Sequence, residues 1–286
     1  MDLYYLNSKG DKIELNGDQY IFSDGNLFDY EWSHTDFEGL NKNRIKRIYK
    51  SVTTRNCKIG IRPNLSLNYD ERIRNFESLV ERLYEVIEYD VINNTLGKFY
   101  AGEEYIECML IASSKSEWRK ATPFLYNEMT VLIPNPIWIT EKKLEFKPIT
   151  NMASTSQYLE YSYDYRYEYF QEDVGAKSIT LDHFTDSDFK MIIYGPCVDP
   201  RVLINDSPYQ VLTTLESNEY IVVDSRENTI VKHMVNGLEK NIFDLRLKTS
   251  SIFKKISYGS VSFNWDGTFG FDITIYLERS QPIWSF

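Results

Sequence analysis

Between Lys190 and Tyr276 the sequence is a succession of short, strand-like segments separated by turn-forming pairs, and this pattern constrains the fold more than any other feature. The segments are Lys190–Tyr194, Arg201–Ile204, Tyr220–Val223, Thr229–Lys232, Val261–Trp265 and Phe269–Tyr276. The pairs are Gly195-Pro196, Asp199-Pro200, Asn205-Asp206, Ser217-Asn218, Asn236-Gly237 and Asp266-Gly267. Gly, Asn and Asp accept the backbone conformations that tight turns demand, and Pro cannot donate to a strand ladder. Short strands joined by polar turns at this spacing predict an antiparallel β-sandwich.

The first half reads as strands around one helix. Tyr4-Tyr5-Leu6 leads into the turn cluster Asn7–Gly10, Lys12–Leu15 alternates, and Asn16-Gly17 marks another turn. Ile45–Lys50 is apolar and basic by turns, as in a half-exposed strand. From about Glu71 to Tyr89, Ile73, Phe76, Leu79, Val80, Leu83, Val86 and Ile87 recur at three- and four-residue intervals, which predicts an amphipathic helix with Asp70 as its N-cap. Strands are expected again at Lys98–Tyr100, Tyr105–Ala112 and Glu128–Ile133. The two prolines of Ile133–Trp138 exclude a central strand there. Pro148–Asn151 and the Ser/Thr-rich residues after it read as a junction, giving domains 1–150 and 151–286. Residues 161–169 place Tyr at every second position; a strand there would carry five Tyr on one face. That stripe is either a packed or interface surface or a platform for stacking sugar rings.

The chain has 286 residues and a formal charge of −10, with 42 acidic and 32 basic residues, so it would repel a phosphate backbone overall. The basic cluster Lys42, Arg44, Lys46, Arg47 and Lys50 is read as a solvated strand or subunit contact, with DNA contact as the competing reading. Cys57, Cys108 and Cys197 are odd in number and far apart, with no C-x-x-C pair, which argues against a disulfide framework or zinc site and for free buried thiols. His34, His183 and His233 occupy no metal-ligand spacing. No G-x-S-x-G, P-loop or G-x-G-x-x-G motif occurs. A nucleophilic pair of Cys57 or Cys197 with a distant His has no local support, and spacing alone cannot show the carboxylate pair a glycosidase needs. No catalytic, cofactor or metal residue is therefore assigned, and no ligand-binding residue is known. The first fifteen residues lack the apolar core of a signal peptide, and no stretch is long enough to span a membrane.

Several stretches taken in order resemble the distal tail protein family of phages with long non-contractile tails. They are MIIYGPCVDP (191–200), NEYIVVDSR (218–226), VNGLEKNIF (235–243), SIFKKISYG (251–259) and ERSQPIW (278–284). The Tyr run at 161–169 is similar to that family's entry into its second domain. The helix at 71–89, GKFY (97–100), EYIEC (104–108) and NPIW (135–138) are similar to its ring-forming domain. The resemblance implies a mainly β chain: a ring-forming β domain with one packed helix over 1–150, and a galectin-like, carbohydrate-binding-module-like sandwich over 151–286, without a long insertion. It further implies a structural, non-enzymatic subunit of the virion tail tip, assembled in the bacterial host cytoplasm. Its expected partners are its own copies in a hexameric ring, the tail tube protein, a tail-associated hub or lysin protein, and receptor-binding or baseplate proteins. DNA would pass the lumen without specific binding, so lumen-facing loops should be acidic or neutral and exclude the 42–50 basic cluster. Two alternatives stand beside this: a carbohydrate-binding module that recognises host-wall sugar and, more weakly, a wall glycoside hydrolase.

Overall fold

Alternation of buried and less buried side chains, rather than runs of apolar residues, builds the central strands, such as Gly97–Ala101, Phe124–Ile133, Asp188–Tyr194 and Tyr220–Asp224. The computed structural model of the chain describes residues 1–37, 44–119, 123–149 and 175–283, with the backbone alone at 116–119. Lys42, the junction at Thr150 and Asn151, the tyrosine run 161–169 and Trp284 lie outside the described residues. The chain forms two compact units, Met1–Thr140 with Glu278–Phe286, and Glu141–Leu277. It therefore leaves the first unit once and returns to it.

In the first unit, strand Leu3–Leu6 pairs with Lys12–Glu14 on one side and Gly97–Ala101 on the other, all antiparallel. The long strand Glu104–Arg119 serves two partners: residues 104–108 pair with Gly97–Ala101, and residues from Met109 onward pair with Phe124–Ile133. Phe124–Ile133 continues to Thr53–Ile61, and that strand to Tyr20–Gly25. Leu125, Met129, Val131 and Ile133 are buried at two-residue spacing, as the pleat requires. The prolines after Ile133 interrupt the ladder until Trp138, as the sequence predicts.

The helix spans Tyr69–Asn93, beginning two residues earlier and ending four residues later than its apolar periodicity indicates. Its N-cap is Asn68, not Asp70: the Asn68 carboxamide oxygen accepts from the Glu71 amide at 3.0 Å, and Asp70 lies inside the first turn. There its charge favours the helix dipole but closes no hydrogen bond to a free amide. Leu79, Leu83, Val86 and Ile87 are buried, and Asn94 ends the helix in the left-handed region at φ 52°. The Tyr20 phenol donates to the Leu79 carbonyl at 2.8 Å, and the Asn7 amide donates to the Val86 carbonyl at 3.2 Å, fastening the helix to the strands. The returning tail is held by Glu104, a buried carboxylate whose Oε2 accepts from the Ile283 amide at 2.5 Å.

The second unit is an antiparallel sandwich. One sheet runs, in spatial order, Glu239–Asn241, Thr229–His233, Tyr220–Asp224, Asp188–Tyr194, Phe271–Arg279 and Trp138–Phe146. The other runs Gly175–Leu181, Gly259–Trp265, Arg201–Ile204 and Ser207–Gln210. Phe189, Met191 and Ile193, then Ile221 and Val223, then Ile273 and Ile275 face inward from the first sheet. Val261 and Phe263, with Val202 and Ile204, meet them from the second. Each such side chain removed from water is worth about 1.5–3 kcal/mol. Asn205 and Asp206 both have positive φ, 46° and 61°, the combination a two-residue hairpin turn requires between Ile204 and Ser207.

Candidate functional site

Two surfaces stand apart from this packing. On the first unit, strands Ser33–Phe37 and Arg44–Tyr49 pair, among the described residues, only with each other, with a bulge between Thr35 and Asp36. Neither strand has a buried side chain. Of the basic cluster, Arg44, Lys46 and Arg47 are exposed and Lys50 is half-buried. Yet the hairpin also exposes bulky apolar groups: Trp32, Ile48, Ile45 and Phe37 are 48–66 % exposed. A groove of about 320 Å³ lies among Trp32, His34, Asp36, Arg44, Ile45 and Ile48. The Lys50 ammonium sits 4.4 Å from the ring centroid of Trp32, one of these lining residues, and 5.2 Å from that of Tyr30. The Lys50 Nζ is shielded from water and has no hydrogen-bond acceptor, and neither has Arg55 Nε. Burial, then the Arg55 charge, holds the Lys50 pKa below the usual lysine value. The helix of the same unit presents the opposite charge: Glu77, Glu81, Glu85 and Glu88 are all exposed.

On the second unit, an open depression of about 380 Å³ is lined by Glu145, Lys147, Pro148, Tyr194, Pro196 and Asp272, among others. The Tyr194 phenol donates to Asp272 Oδ2 at 2.7 Å, while 39 % of the residue remains exposed. Burial, followed by that hydrogen bond, pushes the phenol up to about 12. Strand register places Tyr194 opposite Tyr220, and Tyr220 opposite His233. The latter two rings stack at 4.4 Å, 9° from parallel. Beside this row the Lys232 ammonium meets Glu219 at 2.7 Å, and its hydrogen bond holds the Glu219 carboxyl below its usual range. Cross-strand register brings these residues together, and no linear motif could have shown it.

The sequence candidates for chemistry stay dispersed. His34 lines the hairpin groove, His183 is buried beside Phe184, and His233 lies under Tyr220. Cys57 and Cys108 are buried in the first unit, and Cys197 is half-buried in the second. Burial pushes the Cys57 thiol up to about 12 and Cys197 up to about 11, and raises Cys108 as well. Such thiols stay protonated at neutral pH, the opposite of an activated nucleophile. Among the described residues, no group of three or more His, Cys, Asp or Glu side chains is placed to hold a metal ion. No described helix is long and apolar enough to cross a membrane.

A helix-bearing β unit with an antiparallel sandwich is a fold shared with a phage Dit protein and with phage baseplate chains. The crystal structure of the Dit protein of phage SPP1, described as a paradigm of the hub adsorption apparatus in phages infecting Gram-positive hosts, matches at a TM-score of 0.58 and 9% identity, covering 97% of this chain and 99% of that one. A chain of the phage P2 baseplate, in its activated conformation with calcium, matches at 0.59 and 11% identity, covering 98% and 99%. The same baseplate with strontium matches at 0.60 and 10% identity, with the same coverage. No protein-family model matches the sequence, and no curated protein does. At such identities the shared property is the fold.

Proposed function

We propose that this chain is a structural component of a phage tail tip, a ring-forming distal tail protein that joins the tail tube to the tail-associated hub and the host-recognition apparatus. The observation that carries the proposal is likeness end to end: hub and baseplate chains are covered over 99% of their length in both units at once. A likeness confined to the sandwich would have supported a generic binding module just as well. The hub and baseplate neighbours support a structural rather than an enzymatic role for the chain. Its partners in this reading are its own copies, the tube protein, the hub or lysin protein, and receptor-binding or baseplate proteins. It would be assembled in the host cytoplasm, and its ring would let DNA through without specific contact.

Light scattering across a concentration series tests the ring. A species of six times 33.8 kDa is expected. A strict monomer at every concentration would overturn self-assembly of the ring.

A second reading, recognition of host-wall sugar by the sandwich, is favoured by the depression at Tyr194. Its half-exposed ring offers a stacking face, and Asp272, Glu145 and Lys147 surround it with polar groups. Cell-wall polysaccharide retained by the wild-type protein but not by Tyr194→Ala would support this reading, and equal retention would remove it.

A further inference from the structure

We propose that the hairpin Ser33–Phe37/Arg44–Tyr49 of one copy seats on the acidic outer face of helix Tyr69–Asn93 in the next copy, head to tail. This rests on the ring reading and names the surfaces that close it.

The hairpin is built as if for a partner. A lone two-stranded ribbon is marginal in water and normally needs a third strand or a packed face. Among the described residues no third strand pairs with it, and its bulky apolar side chains face solvent. A contiguous apolar patch rimmed by charge is the usual mark of an interaction site.

The exposed cations of the hairpin specify what that partner carries. Arg44, Lys46 and Arg47 all face solvent along one strand, so the matching surface is acidic with an apolar component.

Such a surface exists on the same unit. Glu77, Glu81, Glu85 and Glu88 fall at helical spacing along one exposed face of the helix. None of the four forms an ion pair among the described residues, and like charges four residues apart repel. Ile92, 78 % exposed, and Tyr89 supply the apolar component at the C-terminal end of that face. The dimensions agree: Glu77 to Glu88 spans about 16 Å of helix, and Arg44 to Tyr49 spans about 17 Å of strand.

The two patches also dictate symmetry. In a two-fold dimer built on the hairpin, the basic strand would face its own copy and be repelled. Pairing hairpin to helix is heterologous, and a heterologous contact either closes a ring or grows a filament.

Charge reversal tests this on the full chain, using exposed residues so that folding is retained and can be checked by circular dichroism. Four proteins are compared by light scattering: wild type, Arg44→Glu/Arg47→Glu, Glu81→Lys/Glu85→Lys, and the chain carrying all four changes. Each double reversal should raise the concentration needed for assembly by about tenfold or more, and the four-fold variant should regain assembly, because each contact would again pair opposite charges. Rings that form equally well in wild type and both reversals would overturn this contact and leave the ring reading standing. A wild type that is monomeric throughout would overturn both. Hairpin reversal that abolishes a duplex-DNA mobility shift without altering assembly would assign the basic strand to nucleic acid instead.

Discussion

The Tyr5 phenol donates to Asp90 Oδ2 at 2.5 Å, joining the first strand to the end of the helix across 85 positions of sequence. Asp90 is fully buried, and its other oxygen accepts from the Ser8 amide at 2.9 Å and the Thr95 hydroxyl at 3.1 Å. A charge taken out of water is tolerable when it is saturated with donors. The phenol is raised far above its ordinary value, first by burial and then by this bond. Gly97 leaves the necessary room: a Cβ there would lie 2.1 Å from the Tyr5 oxygen and 2.4 Å from Asp90 Oδ2.

Asp90→Ala should destabilise the chain by about 3 kcal/mol, because it strands buried donors. Tyr5→Phe should cost about half as much, since Asp90 keeps Ser8 and Thr95. Urea denaturation measures both. Equal, small effects would mean that the network contributes little.

The helix start offers a sharper comparison. Asn68→Ala should cost about 1 kcal/mol by removing the cap, whereas Asp70→Ala should cost only a few tenths by removing a favourable charge near the dipole. Paired thermal melts decide the order, and the reverse order would restore Asp70 as the cap.

Those two positions also show what the sequence could reveal. Leu79, Leu83, Val86 and Ile87 announced the helix because its burial is apolar. The next inward position is Asp90, a charge, so periodicity stopped there while the helix continued to Asn93. Strands such as Lys190–Tyr194 and Tyr220–Asp224 were legible because they bury alternate residues between turn pairs, whereas Gly175–Leu181, Ser207–Gln210 and Glu239–Asn241, which lack that alternation, went unread. Glu104–Arg119 was read only as far as Ala112, because Ser113, Ser114 and Lys115 are exposed and lose the alternation. The Tyr194–Asp272 pair and the row through Tyr220 to His233 depend on strand register. The hairpin was visible as a basic run, but the unmet donors on Lys50 and Arg55 arise only from its three-dimensional setting.

Acid should reveal the Lys232–Glu219 pair. The folded pKa of Glu219 lies below its ordinary 4.5, first through the hydrogen bond from Lys232. Its stabilising contribution is therefore complete above pH 4.5 and is lost as pH falls through the lower folded value. In Lys232→Met that contribution should disappear, so the stability gap from wild type should narrow on acidification. A gap independent of pH in melts on both sides of the glutamate pKa would refute the assignment.

The thiols should separate by burial. Cys197, half-buried, should react first with a chromogenic disulfide reagent, and slowly, because its thiol is raised to about 11. Cys57 and Cys108 should react only on unfolding, on the time course of denaturation itself. Rapid labelling of either in the native chain would show that the first unit opens locally.

Because residues 141–277 are inserted between two parts of the first unit, the sandwich is a cassette rather than an appendage. The strands that carry the chain out and back, Trp138–Phe146 and Phe271–Arg279, are hydrogen-bonded neighbours, about 5 Å apart. Exchange of the module therefore needs only two adjacent splice points. The C-terminal return is fastened at the first unit, where the Ile283 amide donates to Glu104, while the sandwich has a core of its own.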